Sequence, residues 1–267
     1  MNMRAIAALT AATLVLSAAW SARAASLEQP LSVESDWRIE ITGWLWLMGV
    51  KGEQGTYGRV ADTSASFLDI VDDSDSLFQF AGRIEVGRGQ WGVFANGLHS
   101  TVGVDDVPLV RGLSADVDFR MRMVAAGVSY RLVEWVPSGK AAAHGRNGSL
   151  DIFAGARYTD LRLAVSPANV YTLRRRIDWV DPIIGAKAVV PVTERWSVLA
   201  IGDIGGLGID SRFSWAATVA GGYETHFFGQ DTTLYLGYRV VGQDASRGGF
   251  TWDVIQHGPV LGLSFRF

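Results

Sequence analysis

Apolar and polar residues alternate with a period of two along most of this chain, most regularly in its final segment. There, one face is apolar and the other is small or polar. The apolar set is Leu261, Leu263, Phe265 and Phe267, and the polar set is Gly262, Ser264 and Arg266. A period of two is typical of a β-strand, whose successive side chains point to opposite faces. The chain is therefore predicted to form strands with two chemically different faces.

Ten segments show this alternation and are predicted to be strands. They are 37–50, 77–88, 91–102, 116–132, 149–161, 177–192, 196–208, 213–227, 232–243 and 253–267. In segment 116–132 the apolar residues change from odd to even positions after Met123. Since one extra residue in a strand has this effect, the sequence predicts a β-bulge near Met123–Ala125.

The final strand, which alternates and ends on Phe267, resembles the terminal strand of bacterial outer-membrane β-barrels. This resemblance implies an all-β fold, a transmembrane antiparallel up-and-down β-barrel of about ten strands. It also implies that the last strand lies beside the first and closes the barrel. Leu263, Phe265 and Phe267 would form the closing-strand signal that the barrel-assembly machinery recognises. The expected location is the bacterial outer membrane, with outer-membrane lipid as a partner.

The chain begins with features of a secretory signal. Arg4 precedes an apolar run from Ala5 to Ala19, and Ala22-Arg-Ala24 fits a cleavage site. We therefore predict a signal peptide at 1–24, a periplasmic lead-in at 25–36 and an outer-membrane β-barrel at 37–267. A retained anchor is the alternative, but the apolar run is short for a membrane span.

Alternation alone fits a soluble barrel such as a lipocalin as well as a membrane barrel, because the two differ only in which face points outward. Tryptophans near strand ends favour the membrane, since aromatic girdles lie at lipid interfaces. Trp91, Trp135 and Trp196 are assigned to one rim, and Trp179, Trp215 and Trp252 to the other.

The connections predicted on the periplasmic side of the barrel are short turns, with one exception, the long connection 133–148. In the longest outer loop, 51–76, Ser66-Phe-Leu-Asp69 resembles a capping box and predicts a short helix.

The polar faces of the predicted strands carry acids and bases in near balance. The acids are Glu40, Glu85, Asp118, Asp151, Asp181, Asp203 and Glu224, and the bases are Arg38, Arg83, Arg120, Arg122, Arg157, Lys187, Arg239 and Arg266. Inward side chains just fill a barrel of about eight strands, whereas sixteen or more strands leave a channel. Unpaired buried charge is very costly. We expect a lumen charge network that mostly occludes the barrel, with a narrow polar passage as the alternative.

The residues give little sign of catalysis. An omptin-like protease would use an Asp–His pair, yet the chain has no Asp-x-His sequence. A lipid A-modifying hydrolase would use a His and a Ser, but neighbours in a strand, such as His99 and Ser100, point to opposite faces. No enzyme activity, cofactor or metal site is therefore expected. With 24 basic against 27 acidic residues, nothing suggests nucleic acid. The sequence does not identify a transported solute or an extracellular ligand.

Overall fold

The computed structural model describes residues 37–56, 59–65, 67–73, 76–108, 114–137, 147–167, 172–247 and 249–267. The predicted signal peptide (1–24) and lead-in (25–36) lie outside these described residues, as do residues 138–146 of the connection 133–148. Within the described residues, no helix is both long and apolar enough to cross a membrane.

The described chain forms twelve strands and one short helix. They are β1 Trp37–Trp46, β2 Gly49–Thr56, β3 Arg59–Ala65, α1 Phe67–Asp73, β4 Ser76–Arg88, β5 Trp91–Pro108, β6 Ser114–Trp135, β7 Gly148–Pro167, β8 Leu173–Pro191, β9 Trp196–Gly205, β10 Phe213–Phe227, β11 Gln230–Arg247 and β12 Phe250–Arg266. The helix α1 follows Ser66, where the sequence predicts a short helix.

Strands β1 and β4–β12 form a closed antiparallel barrel of ten strands, which confirms the predicted fold class. The ring closes because β1 pairs with both β4 and β12, with Gly43 opposite Leu263 in the second pair. The predicted pairing of the last strand with the first is therefore confirmed. The hairpin β2–β3 extends beyond β1 and pairs with the first half of β12, from Phe250 to His257.

The two ends of the barrel differ. At one end, called the short-turn end, β4–β5, β8–β9 and β10–β11 are joined by short connections at 89–90, 192–195 and 228–229. At the opposite end, called the long-loop end, several strands extend as arms. Strand β6 has 22 residues, whereas a strand needs only about 9–11 to cross a bilayer. Much of β6 therefore projects beyond the thickness that lipid would cover.

An apolar belt surrounds the middle of the barrel on its outward face. Its members are each at least 38% exposed on the isolated chain and include Ile41, Leu45, Phe80, Ile84, Val93, Val124, Val128, Ile152, Val180, Ile184, Val198, Val219, Leu234, Leu236 and Leu261. At the short-turn end, Trp91 packs against Tyr130 and Trp196 against Tyr223, with ring centroids 4.9 and 5.1 Å apart. This is the arrangement of a lipid-facing surface with an aromatic girdle.

The β-bulge predicted near Met123–Ala125 is absent, because β6 keeps continuous register with β5 and β7 through these residues. The register shifts elsewhere in β6, between Arg131 and Val133. The apolar residues move from odd to even positions because the outward face of β6 lies in the apolar belt on one side of Met123 and in the outer arm on the other. Within the belt the apolar side chains, such as Val124, point outward, whereas in the outer arm the apolar side chains, such as Met121, point inward.

The same reversal corrects the girdle predicted at the long-loop end. Trp179 and Trp252 are 2% and 1% exposed and point into the barrel. Trp215 lies on the outward face of β10, on the same side as Val219, but it is also buried, with 8% of its surface exposed. Trp179 and Trp252 therefore belong to the packed interior rather than to a lipid interface.

Candidate functional site: a layered lumen

The inside of the barrel is filled by two layers with different chemistry. A charged layer lies towards the short-turn end, and an apolar layer lies towards the long-loop end. In the charged layer, Lys187 Nζ lies 3.0 Å from Glu40 Oε2 and 2.8 Å from Glu85 Oε2. Strand β8, which carries Lys187, is on the opposite side of the ring from β1 and β4. The lysine side chain therefore crosses the lumen and joins its two walls.

Further arginines fill the space around this bridge. Arg83 pairs with Glu85, and its guanidinium lies 4.4 Å from the centre of the Phe94 ring. Arg157 on β7 pairs with Asp203 on β9. Arg239 donates a hydrogen bond to Thr218 and lies 5.3 Å from the Trp46 ring centre. Stacking on aromatic faces suits the weakly hydrated, planar guanidinium.

A second group of ion pairs lies nearer the short-turn end. Arg131 donates to both Asp151 and Glu134, each at 2.8 Å. Arg266 lies 2.9 Å from a carboxylate oxygen of Glu224. Arg38 lines the same region, which encloses a vestibule of about 260 Å³ open towards the short-turn end. The vestibule ends at Lys187 and Glu40, which belong to its lining.

The apolar layer is made of large side chains that the surrounding strands bury almost completely. Its members include Trp46, Met121, Trp179, Val241, Trp252, Val254 and Val260, all at most 2% exposed. Side chains from facing walls touch here: Gln256 Nε2 lies 2.9 Å from Met121 Sδ, and Gln243 donates to Thr159 at 3.1 Å. Between the two layers is a cavity of about 70 Å³, which holds no more than a few waters.

The structure places most of the predicted lumen network inside the barrel. Those on the inner face are Arg38, Glu40, Arg83, Glu85, Asp151, Arg157, Asp181, Lys187, Asp203, Glu224, Arg239 and Arg266. Asp181 stands apart from the charged layer, because it accepts hydrogen bonds from Trp179 and Ser211 near the long-loop end.

Three members of the predicted network lie elsewhere. Asp118, Arg120 and Arg122 are exposed on the outward face of β6, because inward Met121 and Met123 alternate with them. Sequence reasoning also missed Glu134, because the predicted segment ends at residue 132. It missed Arg131 within that segment, although Arg131 alternates with the apolar Tyr130 and Leu132. Gln243 and Gln256 were missed because they are polar residues in a mainly apolar layer. The sequence does indicate their direction, because each glutamine is an even number of residues away from inward side chains of the same strand.

The candidate catalytic residues are separated as the sequence predicts. His99 faces outward and lies near Phe78, with ring centroids 6.1 Å apart. Ser100 faces inward and is 1% exposed. Among the described residues, no group of three or more His, Cys, Asp or Glu side chains is arranged to hold a metal ion.

No family model matches the chain, and no curated protein matches it either. Solved structures that resemble it include OmpT, the outer-membrane protease of Escherichia coli, at 12% identity over 90% of this chain and 99% of that one, with a TM-score of 0.47. Ail of Yersinia pestis, the attachment invasion locus protein solved with the heparin analogue sucrose octasulfate, shares 13% identity over 86% of this chain and 98% of its own, with a TM-score of 0.39. Because identity and score are low, these likenesses carry no functional argument.

Proposed function

We propose that the protein is a bacterial outer-membrane barrel whose lumen is occluded, so that it acts as a structural element and not as a solute channel. The observation that carries this proposal is the bridge from Lys187 to Glu40 and Glu85 across the lumen. The buried layer around Trp46 and Met121 adds a second obstruction on the long-loop side.

The membrane placement is supported by the surface of the barrel. The outward belt is apolar on every side, and the charges at the same level point inward, most of them in ion pairs. Short turns at one end and long arms at the other match the periplasmic and extracellular ends of such barrels. After cell fractionation, the protein is expected in the outer membrane; recovery in the soluble periplasm would contradict this placement.

Single-channel recording in planar lipid bilayers tests the occlusion. The wild-type protein is expected to show no steady openings. Replacing Trp46, Met121 and Lys187 together by Ala removes the bridge and part of the apolar layer, so small openings are expected. The matched control replaces lipid-facing Val124 and Leu132 by Ala and is expected to stay silent.

The alternative, a narrow passage, gives a different result. Steady openings of the wild-type protein that disappear in Gly262→Phe would favour it, because a side chain at Gly262 would contact Trp44 inside the lumen. Such openings would contradict the occluded barrel.

We also propose that the protein is not an enzyme. Supporting this, a hydroxyl nucleophile must lie within hydrogen-bond reach of its base, and His99 and Ser100 lie on opposite faces of β5. Mass spectra of lipid A from cells producing wild-type protein or His99→Ala are expected to be identical. A modification of lipid A that depends on His99 would overturn this proposal.

A further inference from the structure

Five arginines project outward from three adjacent strands, just beyond the apolar belt on the long-loop side. This arginine patch consists of Arg120 and Arg122 on β6, Arg162 on β7, and Arg174 and Arg176 on β8. Their outward direction follows from alternation with buried inward residues, such as Met121, Leu161 and Ile177.

Strand register fixes the height of the patch. The last apolar row of the belt is Val124, Tyr158 and Val180, which lie side by side on β6, β7 and β8. The next outward row is Arg122, Asp160 and Asp178. The row beyond it is Arg120, Arg162 and Arg176. Outward residues follow one another at about 7 Å along a strand. The arginines therefore start where the hydrocarbon layer would end and the lipid headgroups would begin.

The patch is partly pre-organised by a carboxylate beneath it. Asp160 is 3% exposed and accepts hydrogen bonds from Arg162 Nε and Nη2 at 3.1 and 2.9 Å. Arg176 Nη2 lies 3.2 Å from the same carboxylate and donates to Tyr158 Oη at 2.9 Å. The two guanidinium groups are thus held in place while about half of each side chain remains exposed.

The patch also carries excess positive charge, with five arginines against the outward carboxylates of Asp118, Asp160 and Asp178, the last of which lies 3.7 Å from Arg176. Arg120 and Arg122 are exposed and form no ion pair within the described part of the chain. Arg120, Arg162 and Arg176 are direct cross-strand neighbours, and like charges in such positions destabilise a sheet unless an anion lies between them. On the opposite wall the corresponding outward row is acidic, formed by Asp244, Asp253 and Glu53, and Asp244 pairs there with Arg212.

We infer that the arginine patch binds the phosphate groups of a phosphorylated glycolipid in the outer leaflet, of the lipid A type. The guanidinium fork matches phosphate oxygens in a bidentate geometry. The patch lies at headgroup depth on the lipid-facing side of the wall, where a lipid phosphate reaches it and its acyl chains cover Val124 and Val180. This inference rests on the proposed outer-membrane placement.

Native mass spectrometry of the purified protein in a neutral detergent tests this inference. Wild-type protein is expected to retain lipid A carrying both phosphates. The variant Arg120→Gln with Arg122→Gln leaves the contacts of Arg162 and Arg176 with Asp160 in place, so the fold is expected to be kept. The affinity of this variant for lipid A is expected to be lower than that of the wild type by a factor of about ten. Raising the salt concentration should also weaken binding to the wild-type protein.

The controls separate lipid from other sources of phosphate. Arg212→Gln changes an exposed arginine that pairs with Asp244 on the other side of the barrel, and it is expected to bind as the wild type does. Dephosphorylated lipid A and inorganic phosphate are expected to bind poorly. Equal binding of dephosphorylated lipid A, equal competition by inorganic phosphate, or unchanged binding in the double variant would each overturn the inference. Binding to purified protein depends on neither conductance nor cell fractionation, so its failure is distinguishable from a failure of the proposed function.

Discussion

Glu40 and Glu85 lie directly opposite each other on the neighbouring strands β1 and β4. Both side chains point into the lumen, where like charges in a directly opposed pair destabilise a sheet. Lys187 lies between their oxygens from the far wall. The lysine thus turns a repulsive pair into a contact that holds two sides of the barrel together.

Replacing Lys187 by Met is therefore expected to lower the free energy of unfolding by up to about 3–5 kcal/mol, because it removes the shared cation from two largely buried carboxylates and leaves Glu85 with Arg83 and Glu40 with Ser264. Urea unfolding in detergent micelles or liposomes measures the change. Adding Glu40→Gln and Glu85→Gln to this variant should restore part of the loss. Lys51→Met, at an exposed lysine of β2, should change stability by less than about 0.5 kcal/mol. Wild-type stability of Lys187→Met would show that the bridge is dispensable.

Leu263 tests the lipid-facing assignment of the closing strand. It lies between Gly43 of β1 and Leu234 of β11, within the apolar belt. Leu263→Arg is expected to cost about 2–4 kcal/mol of folding into a bilayer, since charge near the midplane is poorly solvated. Val136→Arg, beyond the end of β6 at the short-turn end, should cost about 0–1 kcal/mol. Equal effects in the two variants would count against the position of the belt.

Met121 tests the reversal of faces in the outer arm of β6. It is fully buried, whereas Val124 is 51% exposed on the belt. Met121→Ala should destabilise the barrel by about 2–5 kcal/mol through loss of packing and a new cavity. Val124→Ala should have a much smaller effect, because lipid fills the space. If Val124→Ala were the more damaging change in urea unfolding, the assigned faces of β6 would be wrong.

The sequence predicts the barrel because the alternation of each strand is local. The ten segments follow from parity alone, whereas the closing pair of β1 with β12 and the inward direction of the charge network rest on the resemblance to outer-membrane barrels. Pairing partners do not follow from parity, because the contact of Lys187 with Glu40 depends on which walls face each other after closure.

The prediction for Asp118, Arg120 and Arg122 is wrong because it treats lipid as surrounding β6 along its whole length. The rim prediction for Trp179 and Trp252 rests on their closeness to strand ends, whereas both lie an even number of residues away from inward side chains of their strands. In the outer arms water replaces lipid, so polar side chains face outward and apolar ones pack inward. The 22-residue length of β6 exceeds the span of a bilayer and is the signal that marks where this assumption ends.

A buried carboxylate on β8, that of Asp181, helps to hold the loop between β9 and β10 to this strand. Asp181 is fully buried and accepts hydrogen bonds from Ser211 Oγ at 2.6 Å and from Trp179 Nε1 at 3.1 Å. The loop protects the edge of β8, since Asp210 accepts a hydrogen bond from the backbone N–H of Val180 at 3.0 Å. Loss of the charged acceptor should therefore loosen the loop and uncover that edge.

Asp181→Asn is expected to weaken this attachment by about 1.5–3 kcal/mol, the range for hydrogen bonds to a charged group. Limited trypsin digestion of the folded protein measures the change, because Arg212 lies in the loop and its side chain is 64% exposed. Cleavage after Arg212 should become faster in Asp181→Asn. Asp231→Asn, in an exposed position at the short-turn end, should leave the rate unchanged. An unchanged rate in Asp181→Asn would show that the loop is held by other contacts, such as the backbone hydrogen bond from Gly206 to Pro182.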